Sequence, residues 1–519
     1  MKGCFLLQRR FCFFGHAIAK VLRAKYGVNE FCGYTYLRSA EKFLKSQKDF
    51  VYEPLLVDED LHLAAKNEPL DYSYLTYLEA EYGVPNLWPF LISDRHFMMN
   101  VPKYEYSDIP ACSHEEMLKH LQIRFRTVIK MLREEKPDFV FFSSLGSLGT
   151  MALYWVAKKM GITTLVLDDA RVQKRVVVTD NCFNQFSEAN KAFDQLRAGE
   201  RTSPCRSQAV DFLNSFRDNP SPRVLNPQSR APFLSRFPRW AGFFAKYIVS
   251  YIKEGKRDYL IESPYGYFRN KILGRLKRWR GYRDLFEKPI EGEDFAFFPL
   301  HYEPESTTLL LAPFYVNQLA LIQNIAKSMP LHFKLYVKEH PAMLYRRPRS
   351  YYKALKKIPN VRLINMNEKS VSLIKKAKLV LTITGTAGWE AVLLKKPVIT
   401  FGSVFYNKLS WIRRVESIEK LPFLIKDALE NYIHNEKELI DFLSAIFEES
   451  FAFEPNDYEY VWHELDFEDI LRQPSFGKFV DFVAGKLELA EKNKTENRAD
   501  DNIADIADDQ THQAREMKP

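Results

Sequence analysis

The chain has 519 residues, of which 46% are apolar, 27% charged and 14% aromatic, and its formal net charge is +9. This balance is typical of a globular protein and excludes a fibrous or low-complexity one, since only 20 residues are glycine. The length exceeds what one hydrophobic core supports, so we expect two or three domains.

The cysteines and the N-terminus indicate the compartment. Six cysteines lie at irregular spacings without a CxxC pair, which favours reduced thiols over disulfides or a metal site. Arg9 and Arg10 interrupt the apolar N-terminal run, so it does not resemble an export signal. Since no stretch approaches the roughly 18 apolar residues of a membrane span, we expect a cytoplasmic protein with at most peripheral contact to the inner face of the membrane.

The N-terminal part predicts strands that alternate with helices. A short buried strand is expected over residues 10–14, before a helix that ends at Gly27. Further along, "KPDFVFFSSLGSLGTMALYWVAKKMGITTLVLDD" predicts a strand over 138–142, a helix over 148–160 and a strand over 163–167. Because this alternation is typical of a parallel, doubly wound sheet, we predict a Rossmann-like, acceptor-side domain over residues 1–195.

Residues 196–290 break this alternation and are rich in Pro, Ser and Arg, which predicts a helical linker region. Between positions 223 and 283 there are 15 Lys or Arg residues and three acidic ones. These cations alternate with apolar side chains, which favours either contact with an anionic membrane surface or a solvated helix pair between domains. Nucleic-acid binding is not predicted, because no recognised module surrounds the interleaved aromatic residues.

The alternation restarts at residue 294 and predicts a second Rossmann-like domain over residues 291–490. Strands are expected at 294–300, 332–340, 361–365, 378–384 and 397–402, with helices between them. The C-terminal helices at 421–449 and 458–490 are expected to pack on this domain or to cross back to the first. Residues 491–519 have few apolar side chains and predict a disordered tail.

Three loops after strands of the second domain carry unusual polarity. The first loop holds His301, Glu303 and Glu305, the second holds Lys338, Glu339, His340 and Pro341, and the third holds Thr384, Gly385, Thr386, Ala387, Gly388 and Glu390. Since ligands of such sheets bind beyond the carboxyl ends of the strands, we expect all three loops on one rim of a cleft between the two domains.

The third loop resembles a phosphate cradle. Small residues at a helix N-terminus leave N–H groups exposed, and the helix dipole adds positive charge. Glu390, one turn further, is expected to accept from ribose hydroxyls. The structural alternative is that Thr386 is an N-cap and Glu390 its capping-box partner.

His340 and Lys338 are expected to donate to a nucleotide phosphate as it leaves, with Pro341 fixing the loop. The structural alternative is a histidine at a strand end followed by a terminating proline. We expect the donor nucleotide to need no metal ion or cofactor, because these side chains and the helix N-terminus neutralise phosphate and no DxD-like pair is evident.

Several of these stretches together resemble one family. "FFPLHYEPEST", "NQLALIQNIAKSMP", "KLYVKEHP" and "TITGTAGWEAVLLKKPVITFG" are similar, over about residues 294–406, to capsule polysaccharide biosynthesis proteins, which include bacterial Kdo transferases. The resemblance implies a GT-B glycosyltransferase fold, a CMP-linked donor such as CMP-Kdo, and a lipid-linked or glycan acceptor. It also implies capsule assembly or export proteins as partners. The stretch "PLHYEPE" departs from the Gln and Asp usual in Kdo transferases, so the donor sugar stays open.

Glu303 and Glu305 are the predicted catalytic carboxylates, together with His340. Displacement at an anomeric carbon needs a carboxylate near the acceptor, and alternation along an extended segment predicts both glutamates on one face. A solvated turn is the structural alternative, and Asp168 and Asp169 are the alternative base on the acceptor side.

Two other functions fit the same architecture. A UDP-sugar 2-epimerase-like enzyme also needs carboxylates and histidine in a cleft between two Rossmann-like domains, but it would act on the soluble nucleotide sugar without an acceptor. A non-catalytic polysaccharide assembly or export partner would keep the phosphate loop as a scaffold and bind no nucleotide.

Overall fold

The computed structural model describes most of the chain. The described residues are 1–8, 11–83, 86–100, 105–106, 112–143, 145–183, 186–220, 263–279, 282–343, 346–453 and 471–488, with isolated positions between 242 and 252. The predicted tail at 491–519 and most of the basic segment lie outside them, as do the side chains of Lys277 and Arg278. Within the described residues no helix is long and apolar enough to cross a membrane.

The first sheet has seven strands in the order β15-β8-β7-β6-β1-β2-β3. Its strands are β1 (Lys2–Leu7), β2 (Glu30–Thr35), β3 (Tyr52–Val57), β6 (Phe139–Phe142), β7 (Thr163–Asp169), β8 (Arg175–Thr179) and β15 (Ser450–Ala452). Five of them are parallel, and β8 and β15 extend the edge through antiparallel pairs. Strands β4 (Met99–Asn100) and β5 (Glu105–Tyr106) form a separate antiparallel pair.

Helices cover both faces of this sheet. They span Phe11–Tyr26, Arg38–Ser46, Asp58–Ala64, Tyr72–Tyr82, Trp88–Ser93, Arg95–Met98, His114–Glu135 and Leu148–Lys159. The side chains of β1 alternate between the two layers: Phe5 belongs to the core with Ala17, and Leu6 belongs to the opposite core with Phe125. A strand buried on both faces reads as a continuous apolar run rather than an alternating one.

The strand predicted over residues 10–14 is wrong. Residues 11–14 begin the helix Phe11–Tyr26, residue 10 lies outside the described residues, and the first described strand is β1 at Lys2–Leu7. A short apolar run fits a buried strand and a buried helix equally well, and Phe14, Ala17 and Ile18 are buried at helical spacing. The helix and strand predicted at 148–160 and 163–167 are observed within two residues of those bounds.

The second sheet consists of six parallel strands in the order β11-β10-β9-β12-β13-β14. They are β9 (Phe295–Pro299), β10 (Lys334–Lys338), β11 (Val361–Ile364), β12 (Leu379–Thr382), β13 (Val398–Thr400) and β14 (Arg413–Arg414). In chain order this is the 3-2-1-4-5-6 arrangement of dinucleotide-binding sheets, whose order reverses between β9 and β12. The predicted pair of Rossmann-like domains in tandem is therefore confirmed.

The helices of the second domain follow the predicted alternation. They span Ser306–Leu311, Gln318–Ser328, Arg349–Lys356, Ser370–Lys376, Thr386–Leu393, Leu421–Glu430 and Glu436–Glu448. Short 3-10 turns lie at Pro313–Tyr315, Pro341–Met343 and Phe405–Lys408.

The two domains exchange segments, so the expected boundaries at 195 and 490 differ from the observed packing. Helices Ser187–Ala198 and Arg206–Asp218 pack on helix Glu436–Glu448 of the second domain. In the other direction, β15 pairs with β8, and helix Pro474–Lys486 packs Phe479 against Phe14 in the first domain. The C-terminal part of the chain returns to the first domain, where β15 pairs with the edge strand β8. Helix Pro474–Lys486 then buries apolar side chains of helix Phe11–Tyr26. Of the predicted linker region 196–290, the structure describes helices Arg206–Asp218 and Pro264–Trp279.

Candidate functional site

The candidate site lies where the strand order of the second sheet reverses. His301 follows β9, Lys338 ends β10, and Thr384 follows β12. The Nε2 atom of His301 lies 3.2 Å from Thr382 Oγ1 and 3.2 Å from the backbone N of Thr384. The structure therefore brings the first and third predicted loops together at the carboxyl ends of their strands.

His301 is buried and neutral at this point. Burial lowers its pKa to about 3, and the charges of His340 and Arg347 act in the same direction. Because Nε2 accepts from the Thr384 N–H, the neutral ring carries its proton on Nδ1. That Nδ1 atom is buried without a hydrogen bond of normal geometry, and the backbone of Pro299 is the one neighbour that opposes the fall in the pKa of the ring.

Arg347 links the first and second loops through a buried ion-pair network. Its guanidinium donates to Glu303 at 2.8 Å, to Glu339 at 2.6 Å and to the His301 carbonyl at 2.9 Å. Glu339 also accepts from Tyr352 Oη at 2.7 Å. Buried carboxylates are tolerated when they are paired in this way, so Glu303 and Glu339 are structural partners of Arg347.

The prediction that Glu303 and Glu305 share one face is wrong. Gln318 Nε2 and Arg347 hold Glu303 inside the second domain. Glu305 is half-buried just before helix Ser306–Leu311, where the charges of Arg171 and Arg95 from the first domain act on it. Burial raises the pKa of Glu305 above its ordinary value, and a hydrogen bond with Thr307 and the charges of the two arginines oppose that shift. Glu305 is thus the carboxylate of this loop that lies close to charged residues of the first domain.

Four buried donors close to Arg347 make no hydrogen bond of normal geometry. They are His301 Nδ1, Thr384 Oγ1, Arg347 Nε and Tyr351 Oη. Arg347 lies over the Tyr351 ring at 5.2 Å and reaches the His301 carbonyl, and His301 contacts the Thr384 backbone. A buried donor left unsatisfied costs about 1–3 kcal/mol. A concentration of such donors suits an oxygen-rich, anionic ligand.

The third loop is shaped by two glycines. A Cβ atom at Gly385 would lie 2.8 Å from Thr382 Oγ1 and 3.0 Å from His301 Nε2, and one at Gly388 would lie 2.2 Å from Tyr406 Oη. Gly385, rather than Thr386, occupies the cap position of helix Thr386–Leu393, and no side chain caps it. The capping-box alternative is therefore wrong.

Lys338 at the end of β10 and Glu390 on helix Thr386–Leu393 are both buried. Lys338 Nζ donates to Ser370 Oγ at 3.1 Å, and burial lowers its pKa against the opposing charges of Glu339 and Glu390. Burial raises the pKa of Glu390 to about 7, although the Lys338 charge opposes the shift. Glu390 therefore changes its charge close to neutral pH.

His340 and Pro341 are exposed at the rim. His340 Nδ1 accepts from the Ala342 N–H at 3.2 Å, so the neutral ring carries its proton on Nε2. The ring packs edge-on against Tyr302 at 5.9 Å, and Arg346 Nη1 donates to the Tyr302 hydroxyl at 2.7 Å. Partial desolvation lowers the pKa of His340, and Glu339 opposes the change. The exposed Nε2–H is a donor at neutral pH.

The turn between β7 and β8 reaches this rim from the first domain. Arg171 adopts a left-handed conformation there (φ 60°), and its carbonyl accepts from Trp389 Nε1 at 3.0 Å. Asp169 Oδ1 accepts from the Arg171 N–H at 2.8 Å, and burial raises the pKa of Asp168 against the Arg171 charge. The predicted alternative base, Asp168 and Asp169, thus lies at the end of β7, two or three residues before the arginine whose carbonyl contacts Trp389 of the second domain.

Sequence reasoning missed Arg347, Tyr351, Arg171 and Arg95 as members of this site. Arg347 lies in "YRRPRS", seven residues after His340, and a basic run beside a polar loop was the available signal. The first-domain arginines gave no local signal, because only the packing of the two domains brings them near Glu305.

Comparison with known proteins confirms the predicted resemblance in the second domain. Residues 316–413 match the family model of the capsule polysaccharide biosynthesis protein. The matched span runs from helix Gln318–Ser328 to the start of β14 and includes Lys338, His340 and the whole third loop. The loop with His301, Glu303 and Glu305 lies before the matched span.

One curated relative is Protein FixF of Sinorhizobium fredii (strain NBRC 101917 / NGR234). It is 32% identical over 130 residues, which are 24% of this chain and 31% of that protein. The alignment thus spans about a third of the length of that relative.

Solved structures show weaker likeness. A beta Kdo 2,7 transferase, Thermosulfurimonas dismutans KpsC, is 12% identical with a TM-score of 0.34, covering 64% of this chain and 88% of that one. The UDP-GlcNAc 2-epimerase from Methanocaldococcus jannaschii is 13% identical with a TM-score of 0.26, covering 89% of this chain and 100% of that one. The fold assignment therefore rests on the strand order of the two sheets. By sequence, the second domain is similar to capsule polysaccharide biosynthesis proteins.

Proposed function

We propose that the chain is a glycosyltransferase of capsule or surface polysaccharide biosynthesis. It takes a sugar from a nucleotide-sugar donor bound by the second domain and transfers it to a lipid-linked or glycan acceptor on the first. The observation that carries this proposal is the cluster of four unpartnered buried donors at the point where the strand order reverses. The match of residues 316–413 to capsule biosynthesis proteins supports the same function.

The residues around the cluster have distinct roles in this proposal. His301 Nδ1 and Thr384 Oγ1 donate to the donor phosphate, together with the N–H groups at the start of helix Thr386–Leu393. His340 Nε2 donates to the phosphate as it leaves, and Glu390 accepts from ribose hydroxyls. Because these donors and the Lys338 cation follow the neighbouring strands β10, β9 and β12, we expect the phosphate charge to be balanced without a metal ion.

Glu305 is the proposed base for the acceptor hydroxyl. It faces the first domain near Arg171 and Arg95, whereas Glu303 is fully engaged by Arg347 and Gln318. A base must reach the proton that it removes, so the cleft position favours Glu305. Asp168 and Asp169 remain the alternative base.

The donor to test first is CMP-Kdo, because the pair His340-Pro341 resembles the one that bacterial sialyltransferases use on a CMP phosphate. The test incubates the full chain with CMP- and UDP-linked sugars, with and without lipid-linked and glycan acceptors, and measures both donor consumption and product. We expect consumption that requires an acceptor. Conversion of a UDP-sugar without acceptor would indicate a 2-epimerase instead, and absence of both turnover and nucleotide binding would indicate an assembly or export partner.

A matched pair of variants tests the base. Glu305→Gln should abolish transfer and leave donor binding intact, because it removes only the charge that accepts the acceptor proton. Glu303→Gln should chiefly lower stability, since its partner Arg347 stays buried. Retained transfer in Glu305→Gln would move the role to Asp168 or Asp169.

Peripheral contact with an anionic membrane is also part of the proposal, because a lipid-linked acceptor lies at a membrane surface. Vesicle sedimentation should show binding that requires anionic lipid, falls with added salt and weakens when Lys277, Arg278 and Arg280 become Ser. If the chain does not sediment with anionic vesicles at low ionic strength, the acceptor is soluble.

A further inference from the structure

Three histidines from separate helices converge in the first domain, away from the phosphate-binding rim. His62 lies on helix Asp58–Ala64, His96 on helix Arg95–Met98 and His120 on helix His114–Glu135. One ring nitrogen of each lies within 4.8 Å of the others, and the rings of His96 and His120 are each centred 4.7 Å from that of His62. His120 is buried and the other two are half-buried.

A thiol lies next to one of the three histidines. Cys112 is half-buried just before helix His114–Glu135, and its Sγ atom lies 3.9 Å from His96 Nε2. In a tetrahedral zinc site with bonds of about 2.1 Å to nitrogen and about 2.3 Å to sulfur, these two ligand atoms are about 3.6 Å apart. The nitrogens would be about 3.4 Å apart, which the histidines reach by small side-chain rotations.

We propose that His62, His96, His120 and Cys112 bind one Zn²⁺ ion in the first domain. Imidazole and thiolate are the donors that zinc favours, and four protein ligands make a closed, structural site rather than a catalytic one. The proposal does not depend on the function proposed for the second domain.

Arg124, which contacts His120, restricts how that histidine can bind a metal ion. Arg124 donates to both oxygens of Asp58 at 2.9 Å and to His120 Nδ1 at 2.8 Å. A guanidinium only donates, so His120 Nδ1 accepts in this arrangement. A His120 ring that binds a metal ion through Nε2 carries its proton on Nδ1, so Arg124 must then withdraw from His120 while its charge stays paired with Asp58.

The site is connected to the cleft through His96. The backbone N–H of His96 donates to Asp94 Oδ1 at 2.8 Å, and Asp94 Oδ2 accepts from the Leu148 N–H at 2.9 Å. Leu148 begins the helix after β6, and Arg95, between Asp94 and His96, acts electrostatically on Glu305. A metal ion bound to His96 would therefore hold the segment that lies opposite Glu305.

Metal analysis of the full-length chain tests the proposal. After equilibration with Zn²⁺ and exhaustive dialysis, we expect about one zinc ion per chain in the wild type. His96→Ala and His120→Ala should lose most of it, whereas His332→Ala, which changes an exposed histidine outside the cluster, should retain it. A wild type without zinc, or variants that all retain it, would overturn the proposal.

A second test replaces Zn²⁺ by Co²⁺ in the wild-type chain, so it does not depend on whether the histidine variants fold. Wild-type chain loaded with Co²⁺ should show the visible bands of a tetrahedral ion and a thiolate charge-transfer band. Cys112→Ser should lose the charge-transfer band alone. Absence of tetrahedral bands in the wild type would refute the site, and a charge-transfer band unchanged in Cys112→Ser would refute the assignment of Cys112.

Discussion

The two sheets share a strand order but differ at the point where that order reverses. In the first sheet this point lies between β1 and β6, where Gln8 Nε2 donates to Ser143 Oγ at 2.8 Å and the Leu148 N–H donates to Asp94. Polar groups there are paired within the domain. In the second sheet, His301 Nδ1 and Thr384 Oγ1 are buried without partners. Topology thus provides a crevice in each domain, and the second crevice adds donors that need an external acceptor.

The largest expected effect comes from removing the cation that organises the second crevice. Arg347→Met would leave Glu303 and Glu339 buried without a cation, so we expect the free energy of unfolding to fall by about 3–5 kcal/mol. Urea denaturation measures this. Arg349→Met is the matched control, because Arg349 pairs with Asp284 at the surface and such pairs contribute at most about 1 kcal/mol. Equal losses in both variants would contradict the role given to Arg347.

His340→Ala should have the next largest effect, this time on transfer. Removing one donor to a developing charge lowers turnover by about 100- to 1,000-fold, and thermal stability should barely change because His340 is exposed. Initial rates at saturating donor measure the loss, with His332→Ala as the control for an exposed histidine. Near-wild-type turnover would exclude His340 from the leaving-group step.

Glu390 should make the free energy of unfolding depend on pH. Its pKa is about 7 in the folded chain against an ordinary value of 4.5, so between these values the folded state holds a proton that the unfolded chain has lost. The contribution of Glu390 to the free energy of unfolding should therefore fall as pH rises through this window, by about 3 kcal/mol in total.

The Glu390 effect is isolated by comparison with Glu390→Gln, which cannot ionise. The difference in unfolding free energy between wild type and variant should change between pH 4.5 and 7 and level off above pH 7. A difference that is constant with pH would show that Glu390 is not shifted.

The smallest effect is expected from Thr384→Val, which replaces an unpartnered hydroxyl by a methyl group of similar size. Stability should stay within about 0.5 kcal/mol, because no internal hydrogen bond is lost. Nucleotide binding should weaken about tenfold, since a hydrogen bond to a charged group contributes about 1.5 kcal/mol or more. Calorimetric titration with nucleotide measures the dissociation constant of this variant and of Thr127→Val, a control substitution on helix His114–Glu135. Unchanged binding would remove Thr384 from the phosphate contacts.

Sequence patterns predicted most of the second domain because its strands and helices alternate regularly and its polar loops follow strands directly. They failed at residues 11–14, where a short apolar run fits a helix as well as a strand. They also failed for Glu303 and Glu305, since alternation takes no account of a buried arginine more than 40 positions away.

The histidine cluster could not be predicted either. His62, His96, His120 and Cys112 are separated along the chain by distances that follow no metal-binding motif. Only the packing of three helices brings their side chains together, and this information is not local.

Calorimetric titration of the full chain with CMP and UDP tests the central claim most directly. The wild type should bind at least one nucleotide at one site. Gly385→Ala should lose that binding while its circular dichroism stays unchanged, because the added methyl group would lie 2.8 Å from Thr382 Oγ1 and 3.0 Å from His301 Nε2. Failure of the wild type to bind either nucleotide, or equal binding by Gly385→Ala, would contradict the claim that the second crevice is a nucleotide-sugar site.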